Sequence, residues 1–217
     1  MFRRRALGLA LILALSLLPA SAGKKQKFSL TALPDKNLAV ADVPDPVAEQ
    51  DCPNFAFAAE MESILRMQGV TTLDQRFWVE KLNGDLTCRP IPNYENLQRI
   101  VAGDYTVSAN RHVRLTVRYT SALPTTTDEL VAPLAQQRPY ILLWHGNPHL
   151  VTGITWHEAY FQNGQRMVEI TKFALTDPTG HKEEHAKMFD RDKDQASDLG
   201  GMFDVTVSEL DIDNWKR

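Results

Sequence analysis

The stretch Tyr140–Leu175 reads YILLWHGNPHLVTGITWHEAYFQNGQRMVEITKFAL. Tyr140–Trp144 is a short unbroken apolar run, the pattern of a strand buried on both faces. Leu150–Tyr160 and Met167–Leu175 flank Gln162-Asn163-Gly164, whose Asn-Gly step suits the left-handed backbone of a tight hairpin. The second half of the chain is therefore predicted to be mostly β.

Upstream, the apolar period changes. Phe57, Met61, Ile64 and Leu65 recur at helical spacing, with Ala58 and Ala59 between them. Asp51 or Cys52 is predicted to cap this helix, Pro53 to sit in its first turn, and Gly69 to stop it after Gln68. Thr72 and Gln75 form a capping-box pattern for a second helix that carries Phe77, Trp78, Val79 and Leu82 and ends at Asn83-Gly84. A third helix starts near Asn93, carries Tyr94, Leu97, Ile100 and Val101, and ends at Gly103. Val113, Leu115, Val117 and Tyr119 alternate as in a strand. Thr127–Gln136 reads as a short helix weakened by Pro133. Helices dominate the first half and strands the second, which predicts an α+β fold with its halves segregated.

The ends of the chain bound its location. Arg3, Arg4 and Arg5 precede the apolar run Ala6–Leu18, and Ala20-Ser21-Ala22 supplies the small residues that a signal peptidase accepts. A signal peptide is predicted over residues 1–22, cleaved after Ala22, so that the mature chain is secreted or periplasmic. The run is short for a membrane span, and no second long apolar stretch follows it. An arm over residues 23–50, with Lys24, Lys25, Lys27, Pro34, Pro44 and Pro46, is expected to be extended or partly disordered. The remaining domain covers residues 51–217, with a core of about 51–180. The segment from Lys182 on is charged, then weakly amphipathic, and reads as a tail or a peripheral strand. The formal charge of −3 becomes more negative once the signal arginines leave. No basic patch then argues for nucleic acid.

The chain has two cysteines, Cys52 and Cys88. In an oxidising compartment the plain reading is one disulfide. The chemical reading competes with it. Cys52 stands at the start of a predicted helix, where the dipole favours a thiolate. His149 follows a Gly146-Asn147-Pro148 turn at a strand start, and Asp177 ends the next strand. A hairpin would bring Asp177 beside His149, where it could orient the imidazole and stabilise its cation.

The segment Asp51-Cys52-Pro53-Asn54-Phe55-Ala56-Phe57-Ala58-Ala59-Glu60-Met61 resembles the nucleophile helix of papain-like cysteine peptidases. The likeness is to the small bacterial branch that includes the bacteriocin leader peptidases and staphopain-type enzymes. Arg138–Trp144 followed by His149-Leu150-Val151-Thr152-Gly153 resembles that family's His-bearing strand. Leu175-Thr176-Asp177-Pro178-Thr179-Gly180 resembles its Asp-Pro element. The resemblance implies a papain-like fold, with a helical N-terminal half carrying the Cys helix packed on an antiparallel β-sheet half. It implies Cys52 as nucleophile, His149 as general base and acid, Asp177 as the orienting carboxylate and Gln50 as oxyanion donor. The expected activity is that of a thiol hydrolase, a cysteine peptidase acting on a peptide or protein substrate without any cofactor. Pro53 after the Cys, and Gln50 closer to it than the family's glutamine, point instead to a non-catalytic binding module held by a Cys52–Cys88 disulfide.

Two further motifs carry weaker chemistry. His181-Lys182-Glu183-Glu184-His185 fits a short zinc pattern, but it has charged flanks and no clear third ligand. Asp190, Asp192, Asp194 and Asp198 resemble a calcium loop, but Gln195 and Gly201 stand where that loop needs Gly and Glu. Both read as solvated charged stretches, so no metal is expected. His112, His145 and His157 read as surface or hairpin residues.

Overall fold

The computed structural model describes residues 31–40, 51–91, 93–124, 126–179 and 186–211. Nine strands and four helices lie among them. The strands are β1 (Thr31–Ala32), β2 (Lys36–Ala39), β3 (Gly103–Ser108), β4 (Arg111–Thr120), β5 (Tyr140–Trp144), β6 (Asn147–Tyr160), β7 (Arg166–Thr176), β8 (Ala186–Asp190) and β9 (Leu199–Leu210). The helices are α1 (Ala56–Met67), α2 (Gln75–Asn83), α3 (Tyr94–Val101) and α4 (Thr127–Ala135).

All the strands join one sheet in the order β3-β4-β9-β5-β6-β7-β8, with every pairing antiparallel. Along one side of β6, β5 pairs as far as Val151, β2 takes over from Gly153, and β1 reaches Tyr160. The sheet centre is covered on both faces. Ile141, Leu143, Leu150, Phe203 and Val205 point into one core beneath α1, α2 and α3. Their neighbours Tyr140, Leu142, Val151 and Met202 point into a second core beneath α4. Burial on both faces is what makes Tyr140–Trp144 uniformly apolar.

This architecture corrects the expected fold. The chain does not form the predicted α+β, papain-like arrangement, with a helical first half packed on a β half. It is mainly an antiparallel sheet dressed by short helices, with strands before α1 as well as throughout the stretch after α3. The hairpin β3–β4 lies inside the supposed helical half, because Tyr105, Val107, Val113, Leu115 and Val117 alternate inward against α3 and α1. Residues 31–39 of the arm are paired with β6 rather than free, pinned by Lys36 Nζ to Glu158 at 2.9 Å and by His157 to Asp35 at 3.0 Å. The segment read as a tail or peripheral strand supplies β9, which crosses the middle of the sheet between β4 and β5.

Helix ends follow local chemistry, with shifts. α1 begins at Ala56, several residues after Cys52, because Cys52–Phe55 first closes a turn (Phe55 N–H to Cys52 C=O, 3.0 Å). Gly69 ends it at φ 73°. Asp74, not Thr72, caps α2 by accepting from the Phe77 N–H at 2.9 Å, and Gly84 closes it at φ 79°. Asn93 caps α3 through the Glu95 N–H at 2.8 Å.

Candidate functional site

The site lies where the N-terminal end of α1 meets the paired ends of β6 and β7. His145 and Gly146, at φ 50° and 78°, form a two-residue turn that pairs Trp144 with Asn147. The turn therefore starts one residue before the Gly146-Asn147-Pro148 reading and ends two before it, so Asn147, Pro148 and His149 already lie within β6. Leu150 pairs with Thr176, so the register carries Asp177 to the level of His149. Asp177 is fixed by a local turn. Its Oδ1 accepts from the Thr179 N–H at 2.8 Å and the Thr179 hydroxyl at 2.5 Å.

His149 and Asp177 line a cavity of about 120 Å³ together with Pro53, Ala56, Asn147, Pro148 and Thr179. Four of these residues, Pro53, Ala56, Asn147 and Pro148, also line an adjoining groove of about 270 Å³. The far side of that groove is Phe57, Pro90, Ile91 and Tyr94, and the Tyr94 hydroxyl donates to the Gly146 carbonyl at 3.2 Å. One cleft thus runs from an end walled by Phe57, Ile91 and Tyr94, with Asn54 and Asn147 also lining it, to the end that holds His149 and Asp177.

His149 is buried, and its Nδ1 has no hydrogen-bond partner among the described residues. Burial pushes its pKa below the ordinary histidine value. The charge of Asp177 and the Thr176 backbone pull the other way, while Lys187 and His145 add to the downward push. The Trp144 ring walls it at 5.7 Å. Behind the pair lies Glu60 of α1, fully buried, with neither carboxyl oxygen hydrogen-bonded among the described residues. Burial raises its pKa well above the carboxylate range. The Leu150 backbone opposes that shift and the charge of Asp177 adds to it. The Thr176 hydroxyl is a further buried atom without a partner.

Cys52 is placed differently from the other two sequence candidates. It is bonded to Cys88 (S–S 1.96 Å, Cα–Cα 6.2 Å), and the chain has no free cysteine. The bond joins the turn before α1 to the exposed loop after α2. Asn54 bridges it, its N–H reaching Cys52 Sγ at 3.4 Å and its Nδ2 reaching Cys88 Sγ at 3.7 Å. Neither cysteine lines the cavity or the groove. Because α1 starts at Ala56, Cys52 also lacks the helix N-terminal position that was to lower its pKa. Where a nucleophile would face His149 stand Pro53 and Ala56. Gln50 lies outside the described residues.

The remaining sequence candidates are dispersed. His181, Glu184 and His185 lie outside the described residues. Asp190 accepts from the Asp192 N–H at 3.1 Å and pairs with Lys172 and Lys193, while Asp194 accepts from the Asp190 N–H at 2.8 Å. Those contacts make a self-capped turn, and no group of three metal-ligating side chains occurs among the described residues. His145 and His157 are partly or fully exposed, but His112 is buried in β4, with Nδ1 3.0 Å from the Thr106 hydroxyl.

Sequence reasoning missed Glu60, Thr179 and the Tyr94 wall. Glu60 was findable, since it lies three residues after Phe57 and four before Ile64, on the apolar face of α1. Thr179 was findable too, as the partner of Asp177 in a local turn, whereas the Tyr94 wall depends on tertiary approach and leaves no local signal.

No family model, curated protein or solved structure matches this chain.

Proposed function

We propose that this protein is an exported, non-hydrolytic binding module whose cleft takes a peptide segment. The observation that carries the reading is the position of the disulfide. It occupies both thiols of the chain, while the His149–Asp177 cavity faces Pro53 and Ala56. With no thiol beside it, and with the Thr179 hydroxyl donating to Asp177 rather than to His149, the histidine–carboxylate pair reads as a set of hydrogen-bonding groups rather than an acyl-transfer site. A cleft that sets aromatic and apolar side chains beside a few convergent polar groups is the usual form of a ligand site.

Export fits the covalent chemistry, because disulfides persist in oxidising compartments. Among the described residues no helix is long and apolar enough to cross a membrane. Residues 1–22 are assigned to a signal peptide removed after Ala22, on their sequence alone.

The test is to add short peptides to the isotopically labelled, oxidised protein and follow amide resonances, with mass spectrometry of the peptides in parallel. Saturable shifts at Tyr94, Asn147 and Thr179 with intact peptides are expected. Peptide cleavage by the reduced protein, abolished in Cys52→Ala, would overturn this reading in favour of a thiol hydrolase.

A further inference from the structure

The polar end of the cleft is rich in acceptors and holds a carboxylate. Asp177 spends Oδ1 on the turn, as acceptor for the Thr179 N–H and hydroxyl. Its Oδ2 makes no hydrogen bond among the described residues. The Thr179 hydroxyl donates to Asp177, so its own lone pairs remain available. His149 lines the same cavity, and burial disfavours its cation, so it brings no positive charge to compete there. The nearby cation Lys187 acts on His149 from β8 but forms no ion pair with Asp177 among the described residues. A carboxylate ligand would meet the charge of Asp177. A primary ammonium brings three N–H donors and the complementary charge.

Continuity with the groove narrows the source of that ammonium. The end cavity, about 120 Å³, has room for an ammonium group and the atoms that carry it. It opens directly on the groove walled by Phe57, Ile91 and Tyr94. At a peptide N-terminus the amine and the first side chain share one Cα, so the two fill adjoining spaces together.

We propose that the cleft captures the free α-amino terminus of a peptide whose first side chain is apolar. The ammonium sits among Asp177, His149 and Thr179, and the side chain enters the groove beneath Tyr94. This rests on the peptide-binding reading above and names its ligand.

The experiment is calorimetric titration of the oxidised protein with Phe-Ala-Gly amide, with its N-acetylated form, and with N-acetyl-Lys-Ala-Gly amide. The free amine is expected to bind at least about ten-fold more tightly than either acetylated peptide, the scale of one charge-assisted contact. In Asp177→Asn, whose amide oxygen can still accept from Thr179, that preference should vanish with the melting temperature unchanged. Equal binding of the free and acetylated phenylalanine peptides overturns amine capture while leaving peptide binding intact. Preferential binding of the acetylated lysine peptide also overturns it. Binding of none of the three removes both readings.

Discussion

The two walls of the cleft are held by different physics. The wall carrying His149 and Asp177 is set by strand register, and Leu150 opposite Thr176 fixes which residues share a level. The opposite wall, Pro53–Asn54 with Pro90–Ile91, has no ladder hydrogen bonds and stands where the Cys52–Cys88 bond puts it. A register-built wall is as stable as the sheet, whereas a tethered wall is as stable as one covalent link. The same cysteine cannot both tie that wall and serve as a nucleophile, so the tether and the proposed binding function go together.

The contrast can be broken from either side. The largest effect is expected at Phe203 on central β9, which packs on Phe57 at 5.0 Å and Tyr119 at 4.6 Å. Phe203→Ala should cost about 3–5 kcal/mol in urea unfolding, because the filled core beneath both walls is emptied. Next, Cys52→Ser with Cys88→Ser should cost roughly 2–4 kcal/mol. Peptide affinity should fall while the far-ultraviolet β signature stays, since only the tethered wall is released.

Glu60 sharpens the comparison through pH. Its pKa is raised in the folded state, so the folded chain holds a proton that the unfolded chain has given up. Its contribution to stability is whole below the ordinary carboxylate pKa and is lost as pH rises towards the raised value. Thermal unfolding of Glu60→Gln across pH 4–8 should therefore show a stabilisation that grows with pH relative to the parent chain. His149 acts in the opposite sense. Its lowered pKa gives stability present above the ordinary histidine value and lost as pH falls through the folded one. The smallest effect is expected at Gly146, where φ is 78° and an added Cβ would meet no atom within 4 Å. Gly146→Ala should cost only about 1 kcal/mol, from the left-handed backbone alone.

The register wall was largely legible in the sequence. The apolar run Tyr140–Trp144, the Asn163-Gly164 hairpin and the strands around it specify β5, β6 and β7, and so place Asp177 beside His149. The tethered wall was not. Whether Cys52 opens a helix or precedes it depends on the turn Cys52–Phe55, which no periodicity reports. The balance of sheet over helix was hidden for a similar reason. β2 is exposed and short, and it forms only because β5 ends and leaves the side of β6 open. β9 begins at Leu199-Gly200-Gly201, which resembles a loop. Gly201 is there because the Tyr119 ring and the Thr120 carbonyl lie within 2.6 Å of where a Cβ would sit.

The most direct measurement is alkylation of the mature, unreduced protein with iodoacetamide, read by mass spectrometry. With both thiols in the Cys52–Cys88 bond, no labelling at either cysteine is expected until reductant is added. Rapid labelling of Cys52 at mildly acidic pH, lost in His149→Ala, would show an activated thiol and contradict that expectation.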